Sequence, residues 1–395
     1  MFRYLTAGES HGPALVGIVD GLPAGMRVDF ELLSAQMQRR QGGHGRGRRM
    51  QIETDAVDFL AGLRGGVTLG SPLAVIIRNK DFDNVRALMD PRTGSGPPIT
   101  RPRPGHADYA GAVKYRHRDL RNVLERASAR ETAMRVAIGE IARQYIGLIG
   151  ISVSGFVLQI GDVAVAIPEG TPSAIELDAS PVRCHDAEAS AAMVACIDQA
   201  KANGDTLGGV FAVCASGMPV GLGANRQPFD RLDARIAAAM MSVQTVKAVE
   251  VGTGIVTGGY VGSRSHDTFE PGADKPSRGS NRAGGIEGGM SNGQDIVVQV
   301  RVKPIATLMN PLASVDLTTG EIAKATIVRS DVCAVPAASI IGEAMVCLAL
   351  AEAVSEKYGA DSVEELRANF EASQKGALAL FAVPKHDGPV IAPQG

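Results

Sequence analysis

Apolar residues recur at helical spacing over residues 131–145, where Met134, Ala137, Ile138, Ile141 and Tyr145 share a face and Arg135 and Arg143 fall off it. Residues 229–246 and 339–356 show a similar period but are alanine-rich and nearly apolar on more than one face, as in helices buried on two sides. Short apolar or alternating runs at residues 15–21, 73–78, 151–160, 209–215, 254–261 and 296–302 predict strands. Strands and helices do not alternate regularly along the chain, which argues against a doubly wound parallel sheet. The pattern predicts an α+β fold in which a helical layer is covered by sheets. Residues 81–105 and 263–293 break it with glycine and proline, and loops of that length inside a compact domain commonly bind or cover a ligand.

Composition narrows the class without changing the fold. The 395 residues are 45% hydrophobic and 21% charged, which suits one globular domain over residues 1–395 with a proline-rich, frayed tail at about 385–395. No apolar run is long enough to cross a bilayer and the start of the chain lacks a secretory pattern, so the expected location is the cytoplasm, with no membrane partner. The five cysteines, Cys184, Cys196, Cys214, Cys333 and Cys347, have no paired or zinc-binding spacing, so reduced thiols and no metal are expected. A net charge of −2 gives no reason to expect nucleic acid.

Local charge says more than the total. Arg39, Arg40, His44, Arg46, Arg48 and Arg49 stand among Gly42, Gly43, Gly45 and Gly47 with no acid between them. Further basic stretches lie at Arg101 to His106 and Arg116 to Arg126. Arginine's planar fork matches carboxylate and phosphate oxygens two bonds at a time, so these clusters imply a multiply anionic small molecule. In Gly8-Glu9-Ser10-His11-Gly12-Pro13, a histidine set between glycines fits a proton-transfer site or a turn whose histidine bonds nearby backbone. Ser128 and Glu131 have the spacing of a capping box at a helix start beside Arg126, where amide donors suit a phosphate. Lys303 to Thr307 end a strand with a lysine and a proline turn. Asp331 lies too early to cap the helix begun near Pro336, which leaves it a salt bridge with Arg329 or a proton-transfer role.

Taken in order, these segments closely resemble the chorismate synthase family, nearly end to end. The resemblance rests on residues 8–12, the arginine–glycine loop 39–49, Arg103-Pro104-Gly105-His106-Ala107-Asp108, residues 126–132, Gly288-Gly289-Met290-Ser291-Asn292-Gly293, residues 303–307 and Arg329-Ser330-Asp331. It implies trans-1,4 elimination of phosphate from 5-enolpyruvylshikimate 3-phosphate, giving chorismate with the help of reduced FMN, in the shikimate pathway to aromatic amino acids. It also implies His11 as the acid for the leaving phosphate, His106 beside flavin N1 and Asp331 near flavin N5. The matching FMN contacts are Arg126, Ala127, Ser128, Gln244, Thr245, Gly288, Lys303, Pro304, Ile305, Ala306, Thr307 and Arg329.

Arg40 and Arg46 match positions the family uses for NADPH. A second reading has Arg40, Arg46, Arg48 and Arg49 clamp the substrate's anions. The chain departs from the family at Ala127, where serine is frequent, and at Thr245 and Ala248, where alanine and glycine are common. The implied architecture is a helical layer between two antiparallel sheets, assembled as a homotetramer of two dimers. The reductant is NADPH or a separate flavin reductase. A flavin reductase or flavin-binding protein without elimination activity is the alternative from another class.

Overall fold

The longest helix, Val335–Tyr358, organises the molecule. Pro336 stands in its first turn, where a missing amide costs nothing, and Gly359 ends it with φ of 34°. Contrary to the expectation that no apolar run reaches bilayer length, it is long and apolar enough to cross a membrane, yet the protein itself buries 94% of its most apolar stretch. In this computed structural model, which describes residues 1–47, 55–168, 170–271, 276–328, 331–359 and 361–380, that helix packs antiparallel sheets and other helices around itself.

Three glycines set the spacing of the layers. A Cβ on Gly17 would lie 2.6 Å from Met134 Sδ, one on Gly139 2.4 Å from Ala344 Cβ, and one on Gly155 2.6 Å from the Ser339 carbonyl oxygen. A strand of the first sheet is thus pressed on the Thr132–Gly147 helix, that helix on Val335–Tyr358, and the latter on a strand of the second sheet. The first sheet runs Arg3–Ala7, Ala14–Asp20, Leu73–Arg78, Asp58–Ala61, antiparallel throughout. The second runs Val246–Val251, Ile296–Val302, Gly209–Ser216, Ser152–Ile160, Val163–Ala164, also antiparallel. Leu15 and Val19 of Ala14–Asp20 point inward while Ile18 faces out, the two-residue period of a half-covered strand. Gly209–Ser216 is apolar on both sides because Phe211 and Val213 join the main core and Val210, Ala212 and Cys214 join a smaller one with Leu177.

The expected α+β sandwich of helices between antiparallel sheets is therefore the fold found, and five of the six expected strands are present within a residue or so. The exception is residues 254–261, which hold a 3-10 helix, Gly254–Gly259. Gly252 and Gly254 both take positive φ, and the Glu250 carboxylate accepts the Ile255 N–H at 3.0 Å, which curls the chain instead of extending it. The helix expected over 229–246 is shorter, Leu232–Met241, and buries only the stripe Leu232, Ile236 and Met240. The Ser128–Glu131 capping box does not form. Ser128 instead caps a 3-10 turn, Ala129–Glu131, and Glu131 is drawn to Arg135 one helical turn on, at 2.7 Å, and to Gln244 at 2.9 Å.

Candidate active site

Chain segments far apart in sequence converge at the end of this sandwich where Val335–Tyr358 begins. Ala334, Ala337, Ala338 and Ile341 present small or aliphatic side chains there, and Leu124, Val243, Ile305 and Val328 extend the same apolar surface. The same cavity is lined by Arg40, Arg46, Arg103, Arg130 and Lys303, with Asp331 the sole carboxylate among the described lining residues. The cavity measures about 440 Å³.

Each cation is held by a defined partner. Arg40, on the inner face of the Phe30–Gln41 helix, donates to Thr132 Oγ1 at 3.0 Å, to the Ala129 carbonyl at 3.1 Å and to Asp55 at 3.3 Å. Its burial pushes the guanidinium down to about 10, against the pull of Asp55. Arg130 also pairs with Asp55 and reaches Asn79 Oδ1 at 2.9 Å. Arg46 donates to Asp331 Oδ2 at 2.5 Å, and the Gly47 N–H reaches Oδ1 at 2.7 Å. The acids that the arginine–glycine loop lacks locally are thus supplied from elsewhere in the chain, including Asp178 and Glu343 for Arg39. Lys303 reaches the Gly105 carbonyl at 2.5 Å, and its amine lies below the usual lysine range through burial and the nearby Lys247 charge. The Lys303 backbone is fixed by the Thr245 carbonyl at 2.9 Å, from a residue in the left-handed region at φ of 74°. A β-branched side chain there stores roughly 1–3 kcal/mol of strain.

Both histidines lie on the wall, and each is braced by a buried carboxylate. His11 Nδ1 is 2.9 Å from Glu125 Oε1, and the His11 N–H donates to Oε2 at 2.7 Å. His106 Nδ1 is 2.5 Å from Asp108 Oδ1, while Asp108 also receives Arg103 Nε at 2.9 Å. Although burial raises the Asp108 carboxyl, these His106 and Arg103 contacts hold it well below the ordinary aspartate range.

Of the residues singled out by sequence, the cavity gathers His11, His106, Asp331, Arg40, Arg46, Ala127, Ser128, Gln244, Thr245, Lys303, Ile305, Ala306 and Thr307. Arg126 is off the wall, its guanidinium bound to Thr6 and to the Gly8 carbonyl at 3.1 Å. Pro304 also lies off the wall, as does Gly288 in the turn between Ile286–Glu287 and Met290–Ser291. Arg48, Arg49 and Arg329 lie outside the described residues. Sequence reading assigned no role to Arg103, Asp108, Glu125, Arg130 or Asp55. Asp108, two residues beyond His106, carried the clearest local signal.

Fixed cations and apolar side chains lining one cavity, with two braced histidines, suit an enzyme that acts on a small polyanion better than a scaffold or nucleic-acid binder. Likeness to known proteins narrows the class. A family model described as chorismate synthase matches residues 2–355. The chain is 52% identical over 375 residues to the chorismate synthase of Desulforudis audaxviator, spanning 93% of this chain and 96% of that protein. It is 52% identical over 388 residues to that of Symbiobacterium thermophilum, spanning 93% and 97%. A solved chorismate synthase crystal structure superposes with a TM-score of 0.78 at 37% identity, over 96% of this chain and 98% of that one. The chain belongs to the chorismate synthase family and is a lyase of that family.

Proposed function

We propose that this cavity binds 5-enolpyruvylshikimate 3-phosphate beside reduced FMN and eliminates phosphate to form chorismate. The observation that carries the reading is the concentration of Arg40, Arg46, Arg103, Arg130 and Lys303 in a cavity also lined by apolar side chains, with Asp331 the only carboxylate among its described lining residues. The substrate's two carboxylates and phosphate need such partners, and a flat ring needs such a surface. The residues present fit a flavin: Gln244 lines the cavity, and its buried Oε1 is an acceptor with no hydrogen-bond donor among the described residues, suited to a ring N–H. Thr307, Lys303 and Ser128 supply polar contacts around the same surface.

The chemistry such a flavin would supply, when bound in its reduced form, is an electron for breaking the carbon–oxygen bond to phosphate, returned as hydrogen leaves. The chain's own groups do the rest. His11 gives a proton to the departing phosphate, while Arg40, Arg46 and Arg130 hold the anionic groups in place. His106 is fixed by Asp108 and Arg103 and would be one of the residues that hold the flavin, and Asp331 would accept or return a proton near it. Arg40 is 3% exposed and tied on three sides, which favours a fixed anion clamp over a contact for NADPH. The reading places the working enzyme in the cytoplasm as a homotetramer, with reduced flavin delivered by a separate reductase.

An anaerobic assay of phosphate release with that substrate tests it, using reduced FMN, oxidised FMN or none. Turnover is expected only with reduced FMN. Equal release in its absence would refute the proposal.

A further inference from the structure

Glu125 sits at the end of the Arg121–Ala127 helix with its side chain 5% exposed, where a lone carboxylate is costly unless paired. No lysine or arginine among the described residues pairs with it; its side-chain partner is His11. Both oxygens are spent on that residue. Nδ1 lies 2.9 Å from Oε1 and 3.0 Å from Oε2, and the His11 backbone N–H reaches Oε2 at 2.7 Å. The Glu125 backbone carbonyl accepts the Ser10 N–H at 3.0 Å, so the loop and the ring are anchored by one residue. On the far side of the ring, Nε2 is 3.9 Å from Asp81 Oδ2, and Asp81 in turn receives Asn84 Nδ2 at 2.9 Å.

We propose that Glu125 is the positioning residue of the proton donor: it holds Nδ1–H and thereby reserves Nε2 as the atom that delivers the proton. This rests on the assignment of His11 as the acid. In the transfer the Nε2–H bond breaks, its electron pair stays on the ring nitrogen, and the proton joins the phosphate oxygen as the carbon–oxygen bond breaks. Neutral imidazole remains, with Nδ1–H still donated to Glu125. A carboxylate in this place fixes both tautomer and ring orientation, as in other carboxylate–histidine pairs.

The test is a double-mutant cycle on the full chain with reduced FMN. His11→Ala is expected to lower kcat by about a hundredfold or more. Glu125→Gln, nearly isosteric, is expected to lower kcat by at least about tenfold, with substrate KM and flavin titration unchanged within about twofold. In the His11→Ala background, Glu125→Gln should then have no further effect. Full turnover in His11→Ala would sink the acid assignment and this proposal with it. Loss in His11→Ala but not in Glu125→Gln, or losses that multiply in the double variant, would overturn the role of Glu125 alone. Imidazole ¹⁵N NMR of the unaltered enzyme, with the His11 signal identified by its loss in His11→Ala, gives a readout independent of how the Glu125 variant folds. Nδ1 should carry the proton, and an unprotonated Nδ1 would overturn the proposal.

Discussion

Asp55 illustrates how a single side chain sets the field of the cavity. Its carboxylate has no solvent exposure and serves two guanidiniums, those of Arg40 and Arg130. Replacing it by asparagine would remove the charge that two buried cations share, and removing one partner of a buried pair costs about 3–5 kcal/mol. Asp55→Asn is therefore expected to lower the free energy of urea unfolding by that order and to raise substrate KM more than it lowers kcat, since the arginines hold anionic groups present before and during reaction. Unchanged KM beside lowered stability would show that the two arginines do not meet substrate. At this scale the sequence was legible where chemistry and neighbours coincide: a histidine between glycines, arginines among glycines, a lysine before a proline turn. Asp55 and Glu125 escaped notice because their meaning lies in partners distant along the chain; nothing local ties residue 125 to residue 11.

Among the elements, the contact between Thr132–Gly147 and Val335–Tyr358 is a tight constraint on how the layers pack. Gly139 allows the two backbones to meet at Ala344, and Ala344 Cα is only 2.7 Å from where a Cβ on Gly139 would sit. Backbone cannot move aside as a flexible side chain can. Gly139→Val should push the helices apart and cost about 1–3 kcal/mol or more, read as a lowered thermal midpoint. A wild-type midpoint would show that the layers are less rigidly spaced than this contact implies. The same packing explains which elements could be read in advance. Thr132–Gly147 and Val335–Tyr358 bury aliphatic and alanine faces, so their period stands out. Phe30–Gln41 went unread because its buried stripe is Leu33, Gln36, Met37 and Arg40, half of it polar. Those two polar residues are inside because one meets Glu343 and the other lines the cavity, facts of tertiary structure that no helical period displays.

Over the whole molecule, Glu343 joins the layers. From the middle of Val335–Tyr358 it receives Gln36 at 2.9 Å and Arg39 at 3.1 Å from the Phe30–Gln41 helix, Arg143 at 2.6 Å from Thr132–Gly147, Arg183 at 3.2 Å, and the Gly155 N–H at 2.8 Å from the second sheet. Burial by itself would raise this carboxyl, but the charges of Arg143, Arg39 and Arg183 and the Gln36 hydrogen bond outweigh it and hold it down at about 2, against 4.5 for an ordinary glutamate. The folded state thus keeps the carboxylate ionised at pH values where the unfolded chain has already taken up a proton. The stabilisation is fully present above about 4.5 and is lost as pH falls from there through about 2. Glu343→Gln removes the charge at every pH and leaves buried arginines short of one, so it should destabilise the fold by about 3–5 kcal/mol at neutral pH. The difference between the unaltered protein and the variant in urea midpoint should therefore be widest at neutral pH and narrow steadily below about 4.5. A gap that stayed constant down to pH 3 would mean that Glu343 joins the layers by shape and hydrogen bonding rather than by charge.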